Sequence, residues 1–375
     1  MEVPRVSGYK NGTLHTDHSI QTDRITAAWP RYRYDAGNTA WNADSQPSRQ
    51  QPLHAWQYKL CSNTVTAPVV ANNRIFVGTP SGLLALHAVT GKRQWQSDEG
   101  PMKSPPTVAN GTVYVVSTSL QAFDAVTGKR QWKFDLKTDS PIATSPVIVT
   151  GLVYAGGTAQ TPLYALDATD GTLVWKHDVT SPRPSAPAVL DEPVYAIDGN
   201  RLLALDAATG TRQWDAFVDE ETQFIPTVTD RRAYVGAAHG IVGFDIARQS
   251  RLWETTVTST QLAVDDSLFY VPVEKTLWAF EKDTGYLAWN RDVLPGDASS
   301  GTFTTCIGGG ETIFCGSSHG NIVALDVESA GKSNAVKWRF DLSSEDGGGA
   351  IVDLAVTKNV LYATTVRGEI HALVV

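Results

Sequence analysis

The 375-residue chain carries 31 basic and 39 acidic residues, a formal charge of -8, which gives no electrostatic footprint for nucleic acid. No run approaches the roughly 18 apolar residues of a spanning helix, so no helical membrane span is expected. Three cysteines, Cys61, Cys306 and Cys315, are too few for a disulfide framework or a four-ligand zinc site.

Residues 1–28 are polar, with His15, Asp17, His18, Asp23 and Arg24, and hold no apolar core of a signal peptide. They are expected to form a disordered tail, and the chain reads as unexported. Residues 29–55 form a leader containing Trp29, Tyr32, Tyr34 and Trp41. It is expected to pack on the domain that follows, because clustered exposed aromatics usually mark a contact.

From residue 56 to residue 375 one phrase recurs, fully written at Ala122–Trp132 as AFDAVTGKRQW. Its tryptophans, Trp56, Trp95, Trp132, Trp175, Trp214, Trp253, Trp289 and Trp338, are spaced by 39, 37, 43, 39, 39, 36 and 49 residues. A small residue stands ten positions before most of them, such as Ala85, Ala122 and Gly243. A turn glycine follows, where a positive backbone angle costs least; the fifth repeat has Gln249 instead, so its turn should differ. Upstream lies a second fixed point, Pro68, Pro106, Pro146, Pro187, Pro226, Leu262, Cys306 and Leu354, followed by hairpin pairs such as Asn72-Asn73 and Asn110-Gly111.

Three short strands fit between fixed point and tryptophan, and the tryptophan opens a fourth. The expected fold is all-β, an eight-bladed β-propeller of four-stranded antiparallel blades. The eighth repeat ends before any tryptophan, and its outer strand is supplied by the segment at Trp56, which closes the ring and leaves no long open edge. Each tryptophan is expected to wedge between blades, with about 5 kcal/mol of indole burial as an upper bound.

The motif A-x-D-x-x-T-G-x-x-x-W at Ala122–Trp132 and Ala204–Trp214 resembles that of quinoprotein-like (PQQ-like repeat) β-propellers, from Trp56 to Val375. The family holds pyrroloquinoline quinone (PQQ) dependent dehydrogenases and a non-enzymatic, BamB-like branch. The dehydrogenases clamp the quinone with adjacent cysteines and hold calcium on long insertions, and this chain has no Cys-Cys pair. The resemblance therefore implies a BamB-like binding or scaffolding propeller with no catalytic residue, no metal and no cofactor. The alternative it leaves is a divergent oxidoreductase using PQQ with calcium. The family also implies an extracytoplasmic location.

Function on a repeat scaffold is grafted onto variable loops. The links from outer strand to next inner strand vary most after Trp289 and Trp338 and carry acidic residues. The expected partner face comprises Asp219, Glu220, Glu221, Asp292, Asp297, Glu345 and Asp346, and would receive a protein, peptide or small ligand on a monomer. The opposite turns carry Lys92, Arg93, Lys129, Arg130, Arg212, Arg248, Arg251 and Lys282, which predicts one acidic and one basic face. His239-Gly240 and His319-Gly320 read as turn residues. Counting outward from Gly310-Glu311 places Cys306 opposite Cys315 in a non-hydrogen-bonded pair, with backbones about 4.5 Å apart. That register allows a cross-strand disulfide or two buried thiols.

Overall fold

The computed structural model describes residues 12–16, 28–47, 51–138, 144–158, 161–180, 186–219, 225–257, 259, 261–294, 301–329, 332, 335–342 and 349–375. Each repeat alternates apolar residues at period two between hairpin turns, so each folds into an antiparallel sheet. Eight such blades form the propeller. Blades 1 to 7 run over 69–96, 107–135, 147–177, 188–217, 227–254, 263–292 and 303–341. Blade 8 is built from Ile351–Val356, Val360–Thr365, Glu369–Val374 and, as its outer strand, Leu53–Leu60. The pairing of Trp56 with Ala372 and Lys59 with Glu369 closes the ring.

The fourth strands begin ahead of the tryptophan rather than at it, for example at Arg93 and Arg130. A β-bulge causes the difference. In blades 1 to 7 the register shifts directly after the small motif residue, as between Ala122 and Phe123 or Ala204 and Leu205. The tryptophan then lies opposite that small residue, where a larger side chain would collide with the indole. In the fifth repeat Gln249 takes the positive φ of 55° that glycine takes elsewhere.

Among the described residues, five of the eight indoles, those of Trp56, Trp95, Trp132, Trp175 and Trp253, lean on a turn of the next blade. Trp95, Trp132, Trp175 and Trp253 cover the turn glycines Gly128, Gly171, Gly210 and Gly285. The indole N–H donates to a carbonyl of that turn: Trp56 to Ala88, Trp95 to Ala125 and Trp132 to Ala168 at 3.1 Å, and Trp175 to Ala207 at 2.8 Å. Second-strand tyrosines donate to some of the same carbonyls, Tyr114 to Ala168 at 3.0 Å and Tyr362 to Ala88 at 3.2 Å. Burial pushes the Tyr154 and Tyr195 hydroxyls up to about 12, which keeps them neutral donors. Trp338 differs, because the last two strands of blade 8 come from separate chain segments and no turn joins them. Its buried Nε1 has no acceptor among the described residues.

The leader winds around the ring against the inner strands. Trp29 and Val70 exchange both backbone bonds at 2.8 Å. Val108 N–H donates to Pro30, Val189 to Ala36 and Val228 to Gly37, each at 2.7 Å, followed by Val264 to Thr39 and Gly308 to Ala40 at 2.9 and 2.8 Å. Asn42 and Ser45 side chains reach the carbonyls of Val356 and Thr357 at 2.9 and 2.7 Å. The segment thus bonds to blades 1, 2, 4, 5, 6, 7 and 8. Its curvature comes from residues in the left-handed region, Arg33, Tyr34, Asn38 and Ala40. Each such residue costs on the order of 1 kcal/mol, offset by these bonds. Asn38, 1% exposed, bridges blades 4 and 5 by donating to the Pro187 and Pro226 carbonyls at 3.3 and 3.0 Å. These prolines open inner strands whose free edge faces the channel, where a missing N–H leaves no orphan donor.

Of the amino-terminal 28 residues, Gly12–Thr16 adds a fifth strand outside blade 8, pairing with Trp56 to Leu60. The rest of that segment up to residue 27 lies outside the described residues.

Candidate functional site

The links and the turns between second and third strands meet on one face, because residues at the start of each link donate to those turns. Leu136 bonds to Thr118, Val218 to Asn200, Val293 to Lys275 and Leu342 to Gly320, at 2.9 to 3.2 Å. On this face a cavity of about 550 Å³ opens where the links turn into the inner strands. Its walls come from several blades: Thr64 to Ala67, Lys103 and Pro105, Thr144 and Ser145, Ile225 with Gln261, and Val352 with Asp353. Tyr32 is the leader's contribution.

Asp353 is the ionisable group set deepest among these. It is 6% exposed, and its Oδ1 accepts from the Thr305 hydroxyl at 2.5 Å and the Leu354 N–H at 2.8 Å. Burial raises its carboxyl above the ordinary range despite those bonds and the charge of Arg33. Tyr32 is pushed up to about 12 by burial and by Asp353. Behind it lie Arg31 and Arg33, 5% and 6% exposed. Arg31 donates to Asn38 Oδ1 at 3.2 Å and Arg33 to the Asn38 carbonyl at 3.1 Å. Burial lowers Arg31 to about 10, still charged at neutral pH.

Of the residues expected to form the partner face, Asp219 and Asp292 are described. Asp219 is half-buried, next to Val218 at the head of its link. Asp292 is exposed and accepts from the Thr276 hydroxyl at 2.6 Å. Glu220, Glu221, Asp297, Glu345 and Asp346 lie outside the described residues. The expected division into acidic and basic faces fails at Arg251, which donates to the Val218 carbonyl at the head of a link at 3.2 Å, and at Arg130. Arg130 forms an ion pair with Glu99, because its strand starts early, on the blade's outer edge.

Cys306 and Cys315 pair across their hairpin with Cα atoms 4.3 Å apart and are joined as a disulfide, while Cys61 is free and exposed. Among the described residues no three His, Cys, Asp or Glu side chains gather to hold a metal ion, and no helix is long and apolar enough to cross a membrane. The cavity was not readable from sequence, since its walls are single residues scattered from Tyr32 to Asp353. The second-strand tyrosines carried a readable signal: Tyr114, Tyr154, Tyr195 and Tyr234 recur at 39 to 41 residues.

None of the curated proteins matches the chain. Among solved structures, BamB from Moraxella catarrhalis superposes with a TM-score of 0.71 at 20% identity, covering 87% of this chain and 100% of that one. A europium-containing methanol dehydrogenase gives 0.69 at 12% identity, over 94% and 99%. A quinohemoprotein alcohol dehydrogenase from Pseudomonas putida HK5 gives 0.70 at 14%, over 95% and 82%. At these identities the likenesses speak for the fold alone. The family model described as outer membrane protein assembly factor BamB matches residues 31–161, 117–267 and 222–335. Those matches together span most of the chain, and the chain belongs to this BamB family of PQQ-like propellers.

Proposed function

We propose that the chain is a non-catalytic binding propeller that receives a protein partner on its link face. The observation that carries this reading is the place of the cavity. It opens among the links of several blades, with Tyr32 of the leader on its wall. Binding sites on such scaffolds lie where variable loops converge on a concavity. The family match adds weight, since its model is described as an assembly factor.

The donor set supports a binder over a quinone enzyme. Calcium takes six to eight oxygen ligands, usually with several carboxylates, and among the described residues Asp353 is the one carboxylate on the cavity wall. PQQ itself carries three carboxylates, and the cationic residue lining the cavity is, among the described residues, Lys103 alone. These residues do not fit the pair, so no redox role is assigned.

Photo-crosslinking residues at Asp292 on the link face and at Lys129 on the opposite turns test the reading in the native cell. Protein adducts are expected from the first position and not from the second. Adducts from Lys129 alone would overturn the link-face reading, and dye reduction by purified protein given PQQ and calcium would overturn the non-catalytic one.

A further inference from the structure

The cavity, about 550 Å³, has room for a long side chain and sets one carboxylate among apolar residues. Val65, Ala67, Pro105, Ile225 and Val352 give it apolar walls, and Asp353 sits among them as a buried carboxylate. Its Oδ1 is saturated by Thr305 and Leu354, and among the described residues no donor meets its Oδ2. That oxygen is not among the buried atoms left without a partner, so it is open to the cavity, and a charge-assisted bond is the strongest it could accept there.

We propose that the cavity takes a lysine or arginine side chain presented by the protein partner, its methylenes along the apolar wall and its cationic end on Asp353. This rests on the link-face reading above and names what the partner must carry there. Three further observations bear on it. The chain has a net charge of -8, and Asp98 and Asp292 are exposed on this face, so a basic loop is steered toward it. Long basic side chains bury their stems against apolar surface while keeping the charged end on a polar partner. Lys103 on the cavity wall and Arg33 behind Tyr32 oppose a cation. Burial nonetheless holds the Asp353 carboxyl above its ordinary range with Arg33 in place, so Arg33 leaves it under-compensated.

The test uses full-length protein and small probes followed by saturation-transfer NMR: the amides of Nα-acetyl-lysine, Nα-acetyl-arginine, Nα,Nε-diacetyl-lysine and Nα-acetyl-norleucine, with glycerol as a neutral polyol. A charged probe should bind at least about tenfold more tightly than the neutral ones, the size of one charge-assisted bond. Asp353→Asn, which keeps an acceptor for Thr305, should abolish that preference while the circular dichroism spectrum is retained. Lys103→Glu should tighten the charged probes several-fold and leave norleucine unchanged. Equal binding of neutral probes or glycerol, or a preference that survives Asp353→Asn, overturns the proposal. Should Asp353→Asn fail to fold, Lys103→Glu decides it, and an unchanged preference there counts against it. Crosslinks from Asp292 without any cationic preference would sink this inference alone. Their absence would sink the link-face reading beneath it.

Discussion

Gly210 to alanine is the most informative single perturbation of the ring. Gly210 has φ +70°, and a Cβ built there lies 2.5 Å from Cδ2 and Cε3 of Trp175 in the preceding blade. Two costs follow: about 1–2 kcal/mol for a left-handed alanine, and about 1–3 kcal/mol for pushing a packed indole aside. Displacement also strains the Trp175 bond to Ala207, worth about 1 kcal/mol. The sum is about 3–6 kcal/mol. Gly151 supplies the control, because it has φ +81° and nothing within 4 Å of the place a Cβ would take; its alanine should cost the backbone strain alone. Urea unfolding by far-ultraviolet circular dichroism would measure both, along with Gly210→Ala in a Trp175→Ala background. There the cost should fall to that of Gly151→Ala. Equal losses at the two glycines in the wild-type background, or a Gly210 cost unchanged without the indole, would refute the contact between blades as the origin of the effect.

Two further outcomes are expected. His371, then Lys59, hold the Glu369 carboxyl at about 2, and burial keeps the His371 ring below its ordinary 6.5. A depressed carboxylate stabilises above its unfolded value near 4.5 and loses that contribution as pH falls toward 2; a histidine held neutral destabilises as pH drops below 6.5. Melting temperature should therefore fall on acidification in both windows, and Glu369→Gln should flatten the lower one; a rise through pH 6.5 would contradict this. Thiol titration under denaturing, non-reducing conditions should find one reactive cysteine, Cys61, and three after reduction; three without reductant would remove the Cys306–Cys315 bond.

The repeat was legible because eight copies of the same packing problem received nearly the same solution. Ala122, Gly128 and Trp132 each answer a local demand, for room at the bulge, for a left-handed turn and for a wedge. The same locality makes the register of Cys306 with Cys315 countable from Gly310-Glu311, and the structure has that register. The leader was only half legible. Its aromatics announced a contact, yet its path around the ring depends on backbone groups and on single residues such as Asn38, which no periodicity marks. Asp353 was hidden for a related reason. It sits one residue before the fixed point Leu354, in a repeat where the preceding prolines give way to a paired inner strand, and its partner Thr305 is 48 positions away.

The leader's bonds also set an order of events. Asn42 reaches Val356 across 314 positions and Ser45 reaches Thr357 across 312. At synthesis rates of about 5–20 residues per second, the leader and the closing strand wait roughly 15–60 s for the blade they must join. Until then Asn42, Ser45 and the edge of Leu53–Leu60 that faces Glu369–Val374 have no final partner, while the intervening blades can already stack on one another. Closure is thus the last and least local step of folding, where loop-closure entropy is largest, and it is the interval in which this chain depends most on protection from aggregation.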